Sequence, residues 1–163
     1  MAVQAQALRQ AMRHWATGVT VVTSRGPGGP HGITVNSFGS LSLDPPLCLI
    51  CIDRRTRAHK EIPRAGAFAV NILSDRQEEV AARFAGRRPD LTDPFAGLPL
   101  TAAPSGAPVF TGAVGYLDCV LQDQLDGGDH TIFVGCVQHA EAATAGGSPL
   151  LFYGGAFRRV AED

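Results

Sequence analysis

Along the first residues, apolar positions recur at helical spacing. Leu8, Met12 and Trp15 fall at i, i+4 and i+7, with Ala5 and Ala11 close by, so residues 4–16 predict an amphipathic helix. Gly18 stands where a left-handed cap would end it. The period then switches to that of strands. Residues 19–23 are rich in β-branched side chains and read as a strand. Residues 25–30, Arg-Gly-Pro-Gly-Gly-Pro, make a turn, and residues 31–36 form the return strand. After Pro45 and Pro46, residues 47–52 are apolar on both faces, which predicts a central strand. Residues 53–57 break sharply to polar, and residues 67–73 give another strand. Ser74 or Asp75 caps a helix carrying Val80 and Phe84, with Glu78 and Glu79 near its positive end.

Residues 86–108 hold five of the eleven prolines and show little periodicity, the mark of a loop that is either functional or disordered. Residues 109–138 read as strand, turn, strand, with Asp126-Gly-Gly-Asp129 as the hairpin loop, and a last short strand is expected at 150–153. About six strands and two helices, without regular alternation, exclude a doubly wound α/β fold and predict a mainly β protein built on an antiparallel barrel. With 163 residues the chain is expected to form one domain over 1–163, long enough to bury about 70% of its extended surface.

Charge narrows the field. Fourteen basic against fifteen acidic residues leave a net charge of −1, which argues against a nucleic-acid protein held by bulk charge. The apolar run at 47–52 is far short of the ~20 residues that span a bilayer, and the first ten residues lack a signal-peptide design, so a cytoplasmic protein is expected, with no membrane partner. The four cysteines lie in strand-like stretches. Cys48 and Cys51 have metal-type spacing, but i and i+3 on a strand point to opposite faces, so one ion cannot take both. They read as small buried hydrophobes, and no metal site is expected. Phosphate-loop, G-x-S-x-G and H-E-x-x-H motifs are absent. Gly26-Pro-Gly28 begins like a dinucleotide fingerprint, but Pro27 and Pro30 forbid the helix start that motif needs.

Three segments carry possible chemistry. Thr34, Asn36, Ser37, Ser40, Ser42 and Asp44 crowd hydrogen-bonding groups between two apolar strands, suited either to reading a polar heterocycle or to bonding their own backbone at a barrel rim. Arg54, Arg55, Thr56 and Arg57 can clamp a phosphate or form a solvated turn. The hairpin at 126–130 places His130 at a strand start, as a ligand group or a surface histidine.

Together these segments resemble the flavin reductase family with the FMN-binding split-barrel fold. The matching stretches are TGVTVVT at 17–23, GITVNSFGSLSLDPP at 32–46, FAVNIL at 68–73, GDH at 128–130 and PLLFYGG at 149–155. They run in family order through nearly the whole chain. The resemblance implies an antiparallel Greek-key split β-barrel with an N-terminal helix and one or two peripheral helices. It implies that Thr34, Val35, Asn36 and Ser37 line the isoalloxazine ring, and that Cys51, Ile52, Asp53, Arg54, Arg55 and Thr56 take the ribityl chain and phosphate. Phe84 and Ala85 match a helix end that approaches the flavin, His130 the histidine beside both redox rings, and Phe152, Tyr153 and Gly154 the stretch near the nicotinamide nucleotide. The implied activity is NAD(P)H-dependent reduction of FMN or FAD, with reduced flavin passed to a flavin-dependent monooxygenase by a homodimer. The arginine-rich loop leaves FMN and FAD, and the sequence leaves NADH and NADPH, both open. A non-catalytic flavin carrier or redox sensor is the alternative, and a pyridoxamine-phosphate-oxidase-like enzyme is a third reading that the GDH and SLSLDPP segments disfavour.

Overall fold

The computed structural model describes residues 2–143 and 147–161. In chain order the elements are α1 (Ala5–Met12), β1 (Thr17–Gly18), β2 (Thr20–Gly26), β3 (Gly29–Val35), β4 (Phe38–Leu43), β5 (Pro46–Asp53), α2 (Ala58–Ala65), β6 (Ala67–Ile72) and α3 (Glu78–Phe84). Then follow β7 (Leu100–Ala102), β8 (Pro108–Phe110), β9 (Gly115–Gly127), β10 (His130–Ala142), β11 (Leu151–Tyr153) and β12 (Ala156–Arg158). Seven strands form one antiparallel sheet in the order β3-β2-β6-β9-β10-β5-β4. Its two edge strands, β3 and β4, are consecutive in the chain and joined only by Asn36 and Ser37. A flat seven-stranded sheet cannot bring its edges that close, so the sheet curls into a barrel that is split at this link. Register shifts at Val134/Gly135 and Val137/His139, and at Ser40/Ser42, supply bends that curling requires.

The barrel interior is one apolar cluster, with Val22, Val35, Ile50, Ile52, Ile62, Phe68, Val70 and Phe133 meeting from five strands and α2. Gly135 is the concession that lets it close. A Cβ there would lie 2.5 Å from Phe68 Cζ and 2.9 Å from Cys119 Cβ. Over it the thiols of Cys48 and Cys119 come within 3.6 Å. A second cluster joins the opposite face of β2, through Val19 and Val21, to Leu73, Val80, Ala81, Phe84, Phe110 and Leu150.

Several expectations need correction. The first helix ends at Met12, and Gly18 caps nothing because it belongs to β1. Leu8, Met12 and Trp15 are 53%, 54% and 66% exposed, so the apolar face of α1 is not part of the core. The hydroxyl-rich stretch expected between two strands is itself a strand, β4. Residues 58–65 form α2, which buries Ala58 and Ile62 and ends on a left-handed Gly66 at φ 69°. Residues 47–52 lie in β5, flanked on both sides but one strand from the sheet edge. The proline-rich segment is ordered. It contains the β7–β8 hairpin, held where Ser105 N–H and Oγ–H donate to the buried Asp118 carboxylate at 2.9 and 2.5 Å. The hairpin at 126–130 forms as expected, with only Gly128 and Asp129 in the turn and Gly128 at φ 78°.

Candidate active site

Strand alternation puts Cys48, Ile50 and Ile52 into the barrel and Leu49, Cys51 and Asp53 on the outer face of β5. Against that outer face, the split in the barrel opens a cavity of about 720 Å³. Met12, Trp15, Phe38, Leu49 and Phe152 give it apolar walls, and Thr17, Asn36, Ser37, Cys51, Gly154 and Gly155 line it too. A smaller cleft of about 150 Å³ shares Asn36 and Phe152 with it and adds Thr34, Ala85, Arg87 and Phe157. Arg87 lies over the Phe157 ring at 5.0 Å from its centroid.

The split is pinned by a two-way bridge. Ser37 Oγ–H donates to the Cys51 carbonyl at 2.8 Å, and Cys51 N–H donates to the Ser37 carbonyl at 3.1 Å. Burial pushes the Cys51 thiol up, so it stays protonated at neutral pH. Thr34 Oγ–H donates to the Ala81 carbonyl at 2.7 Å, tying β3 to α3 beneath the small cleft.

Further along the same outer face, His130 pairs with Asp53 across β10 and β5. Directly paired residues project to one side, so His130 lies beyond Cys51 on the cavity face. Its Nδ1 is 2.7 Å from Asp129 Oδ1, which fixes the ring and leaves Nε2 without a partner among the described residues, and the same contact holds the Asp129 carboxyl below the usual carboxylate range. Arg54 clasps this turn. Its N–H donates to the Asp129 carbonyl at 3.1 Å, its Nε–H to the His130 carbonyl at 3.2 Å, and its Nη2 pairs with Asp126 at 3.1 Å. Arg55 folds onto Asp53 through Nε and Nη2, the latter at 2.7 Å, and holds that carboxyl far below its ordinary range. Arg57 faces Glu61 at 3.7 Å. Thr56 Oγ–H donates to the Asp53 carbonyl at 2.8 Å.

The structure thus gathers Asn36, Ser37, Cys51, Phe152 and Gly154 in one cavity, with Thr34 and Ala85 in the adjoining cleft. Asp53 and His130 continue that face, and Arg54, Arg55 and Thr56 close its end. Three of the candidate side chains point into the cores. Val35 and Ile52 are in the barrel core, and Phe84 packs in the second core 4.7 Å from Phe95 and 5.3 Å from Phe110. These three offer a ligand only their backbone. Tyr153 turns to a separate cavity beside His14, with ring centroids 6.5 Å apart. Met12, Trp15, Phe38, Leu49 and Arg87 were missed as lining residues. The apolar spacing of Met12 and Trp15 was visible, but it reads equally as a core-facing stripe.

A split barrel with a slot of flat apolar walls, free amide groups at its corner and an oriented imidazole beyond defines a binder of planar rings with polar edges. The chain belongs to the flavin reductase family: residues 12–161 match the family described as Flavin reductase like domain. The reductase subunit HsaB of a flavin-dependent monooxygenase from Rhodococcus jostii (strain RHA1) is 38% identical over 162 residues, covering 99% of this chain and 81% of that protein. An NADH-dependent FAD reductase of Streptomyces globisporus is 43% identical over 162 residues, covering 96% and 86%. The solved structure of the S. globisporus C-1027 NADH:FAD oxidoreductase SgcE6 with NAD and FAD fragments superposes with a TM-score of 0.90 at 40% identity, covering 100% of this chain and 98% of that one.

Proposed function

We propose that this chain is an NAD(P)H-dependent flavin reductase that reduces FMN or FAD and supplies reduced flavin to a monooxygenase component. The observation that carries the reading is the cavity at the barrel split, apolar on its walls and polar at its Asn36–Ser37 corner. The residues present fit a flavin. The Asn36 side-chain amide is exposed and has no hydrogen-bond partner among the described residues, and Thr17 Oγ on the cavity wall is shut from water without a partner. A ring bearing carbonyl and N–H groups on one edge matches such a corner.

Bound there, the flavin would supply the hydride acceptor for a dihydronicotinamide, chemistry that belongs to the cofactors. The chain's own tasks are to bind, align and keep out water. Met12, Trp15, Phe38, Leu49 and Phe152 exclude solvent from the reacting faces. Amide groups around Asn36 and Ser37 stabilise negative charge gained at the ring's polar edge more than they stabilise the neutral ring. His130, aligned by Asp129, orients the nicotinamide or holds a proton at Nε2. Asp53 to Thr56 close the far end and hold the ribityl phosphate, with Arg55 the guanidinium most open to solvent, its side chain 87% exposed.

The reading includes one domain over residues 1–163 and a homodimer, the second copy covering the exposed apolar face of α1 together with Leu41 and Leu43 of β4. It also places the protein in the cytoplasm, where NAD(P)H is available and four free thiols persist. No helix of the described residues is long and apolar enough to cross a membrane.

Purified protein mixed with NADH or NADPH and a catalytic amount of FMN or FAD tests this. A reductase consumes the nicotinamide continuously. A flavin carrier or sensor stops after one equivalent, and that outcome would reject the proposal.

A further inference from the structure

The arginine-rich loop at 54–57 has its donors committed within the chain. Arg54 N–H donates to the Asp129 carbonyl at 3.1 Å, Arg55 N–H to Asp53 Oδ1 at 2.8 Å and Thr56 N–H to the Asp53 carbonyl at 3.0 Å. Thr56 Oγ–H shares that last acceptor. Arg54 reaches the His130 carbonyl and Asp126, and Arg57 faces Glu61. Arg55 lies fork to fork on the Asp53 carboxylate, with Nη2 2.7 Å from Oδ2 and Nε 3.1 Å from Oδ1. This is the same bidentate geometry in which a guanidinium grips a phosphate. Asp53 therefore occupies the fork that a ribityl phosphate needs.

The local charge adds to the competition. Arg54 and Arg55 stand among three carboxylates, Asp53, Asp126 and Asp129, so the end of the site near Thr56 holds no surplus of positive charge. Arg55 is the group best able to let go. Its side chain is 87% exposed against 22% for Asp53, and an ion pair bathed in water is worth little. Asp53 cannot follow it, because it is the last residue of β5 and is paired in register with His130 of β10. A phosphate that draws Arg55 away thus keeps a bare carboxylate as its neighbour, and like charges so placed repel.

We propose that Asp53 sets how tightly phosphorylated flavins are held, by competing with the flavin phosphate for the Arg55 guanidinium. The proposal rests on the reductase reading, which puts the flavin ring at the Asn36–Ser37 corner and its phosphate toward Thr56. The consequence is a flavin held mainly by its ring. FMN gains little over unphosphorylated riboflavin, and the phosphate does not anchor the reduced product. Asp53 is then a specificity residue that works by taking affinity away rather than by adding it.

Asp53→Asn is the informative change. Asn Oδ1 still accepts the Arg55 N–H, so the turn keeps that bond while the charge is lost. Trp15 is the only tryptophan and lines the cavity, so its fluorescence follows flavin binding. FMN and riboflavin are titrated into wild type, Asp53→Asn, Arg55→Met and the protein carrying both changes. The expected result is an FMN Kd about fivefold lower in Asp53→Asn, the shift that one exposed ion pair supports, with the riboflavin Kd unchanged. FMN dissociation in stopped flow slows by a similar factor. In the Arg55→Met background the gain from Asp53→Asn shrinks, because the guanidinium it frees is missing. FMN affinity in Asp53→Asn equal to or weaker than wild type overturns the proposal. So does equal tightening of FMN and riboflavin, which would assign Asp53 to the ring or ribityl chain. If all four proteins bind FMN and riboflavin alike, the phosphate is held elsewhere, and the proposal falls while flavin binding stands. If wild type binds neither flavin, the reductase reading falls with it.

Discussion

Gly32→Ala tests whether packing beneath the small cleft positions the flavin site. Gly32 lies in β3 opposite Thr23, and a Cβ built on it falls 2.7 and 2.8 Å from Phe84 Cδ1 and Cε1, with Phe95 Cζ at 3.4 Å. Carbon atoms prefer about 3.5–4.0 Å, so the Phe84 ring must retreat by nearly an ångström. It has little room, because Phe95 and Phe110 grip it from two sides. Overpacking of this kind costs ~1–3 kcal/mol. At about 2–4 °C per kcal/mol for a chain of this size, a cost near 2 kcal/mol lowers Tm by roughly 4–8 °C. Phe84 ends α3, and Ala85 and Arg87 just beyond it line the cleft. Displacing the ring therefore moves a wall of the site as well. Thermal melts and flavin titrations followed by Trp15 fluorescence check both effects, with flavin Kd expected to rise severalfold. A melting temperature and a flavin affinity both equal to wild type would refute the argument that β3–α3 packing sets the cleft.

Other expectations follow from the same geometry. His130→Ala lowers NADH-dependent kcat by roughly ten- to a hundredfold, below or at the bottom of the range for acid–base groups; unchanged kinetics would remove His130 from the site. Thr56→Ala or Arg55→Ala raises the KM for flavin more than it lowers kcat at flavin saturation, as measured by steady-state titration. His31 has its pKa lowered by burial and by Arg57, so the folded protein resists its protonation. Stability is then highest above about pH 6.5, the unfolded value, and declines as pH falls through it toward the lower folded value. Urea denaturation of His31→Gln between pH 8 and 5, roughly spanning that window, should show a flatter profile than wild type.

Much of the barrel was legible because its strands speak locally. The β-branched residues of 19–23, the both-faced apolar run at 47–52 and the Gly-rich turn before His130 each carry their own signal. What stayed hidden depends on distant partners. Helix α2 is eight residues long, contains Pro63 and is mostly polar, so only the burial of Ala58 and Ile62 against the barrel reveals it. Strand β4 alternates serines with leucines, and Leu43 remains 90% exposed, so it reads as a rim. The arginine loop was visible as charge, but its commitments to Asp126, Asp53 and Glu61 were not, since two of these partners come from other elements. The N-terminal helix shows the opposite case. Its apolar spacing is legible over Leu8 and Met12, but the helix stops at Met12 and nothing local tells which way the stripe faces; it is exposed, and Met12 and Trp15 line the cavity.

The most direct measurement is anaerobic mixing of flavin-loaded protein with one equivalent of NADH, following the flavin's yellow absorbance. The account predicts complete bleaching, faster than free flavin achieves alone, and slowed by deuterium on one face of the nicotinamide C4 only. Persistent colour, or bleaching no faster than in buffer, would contradict it.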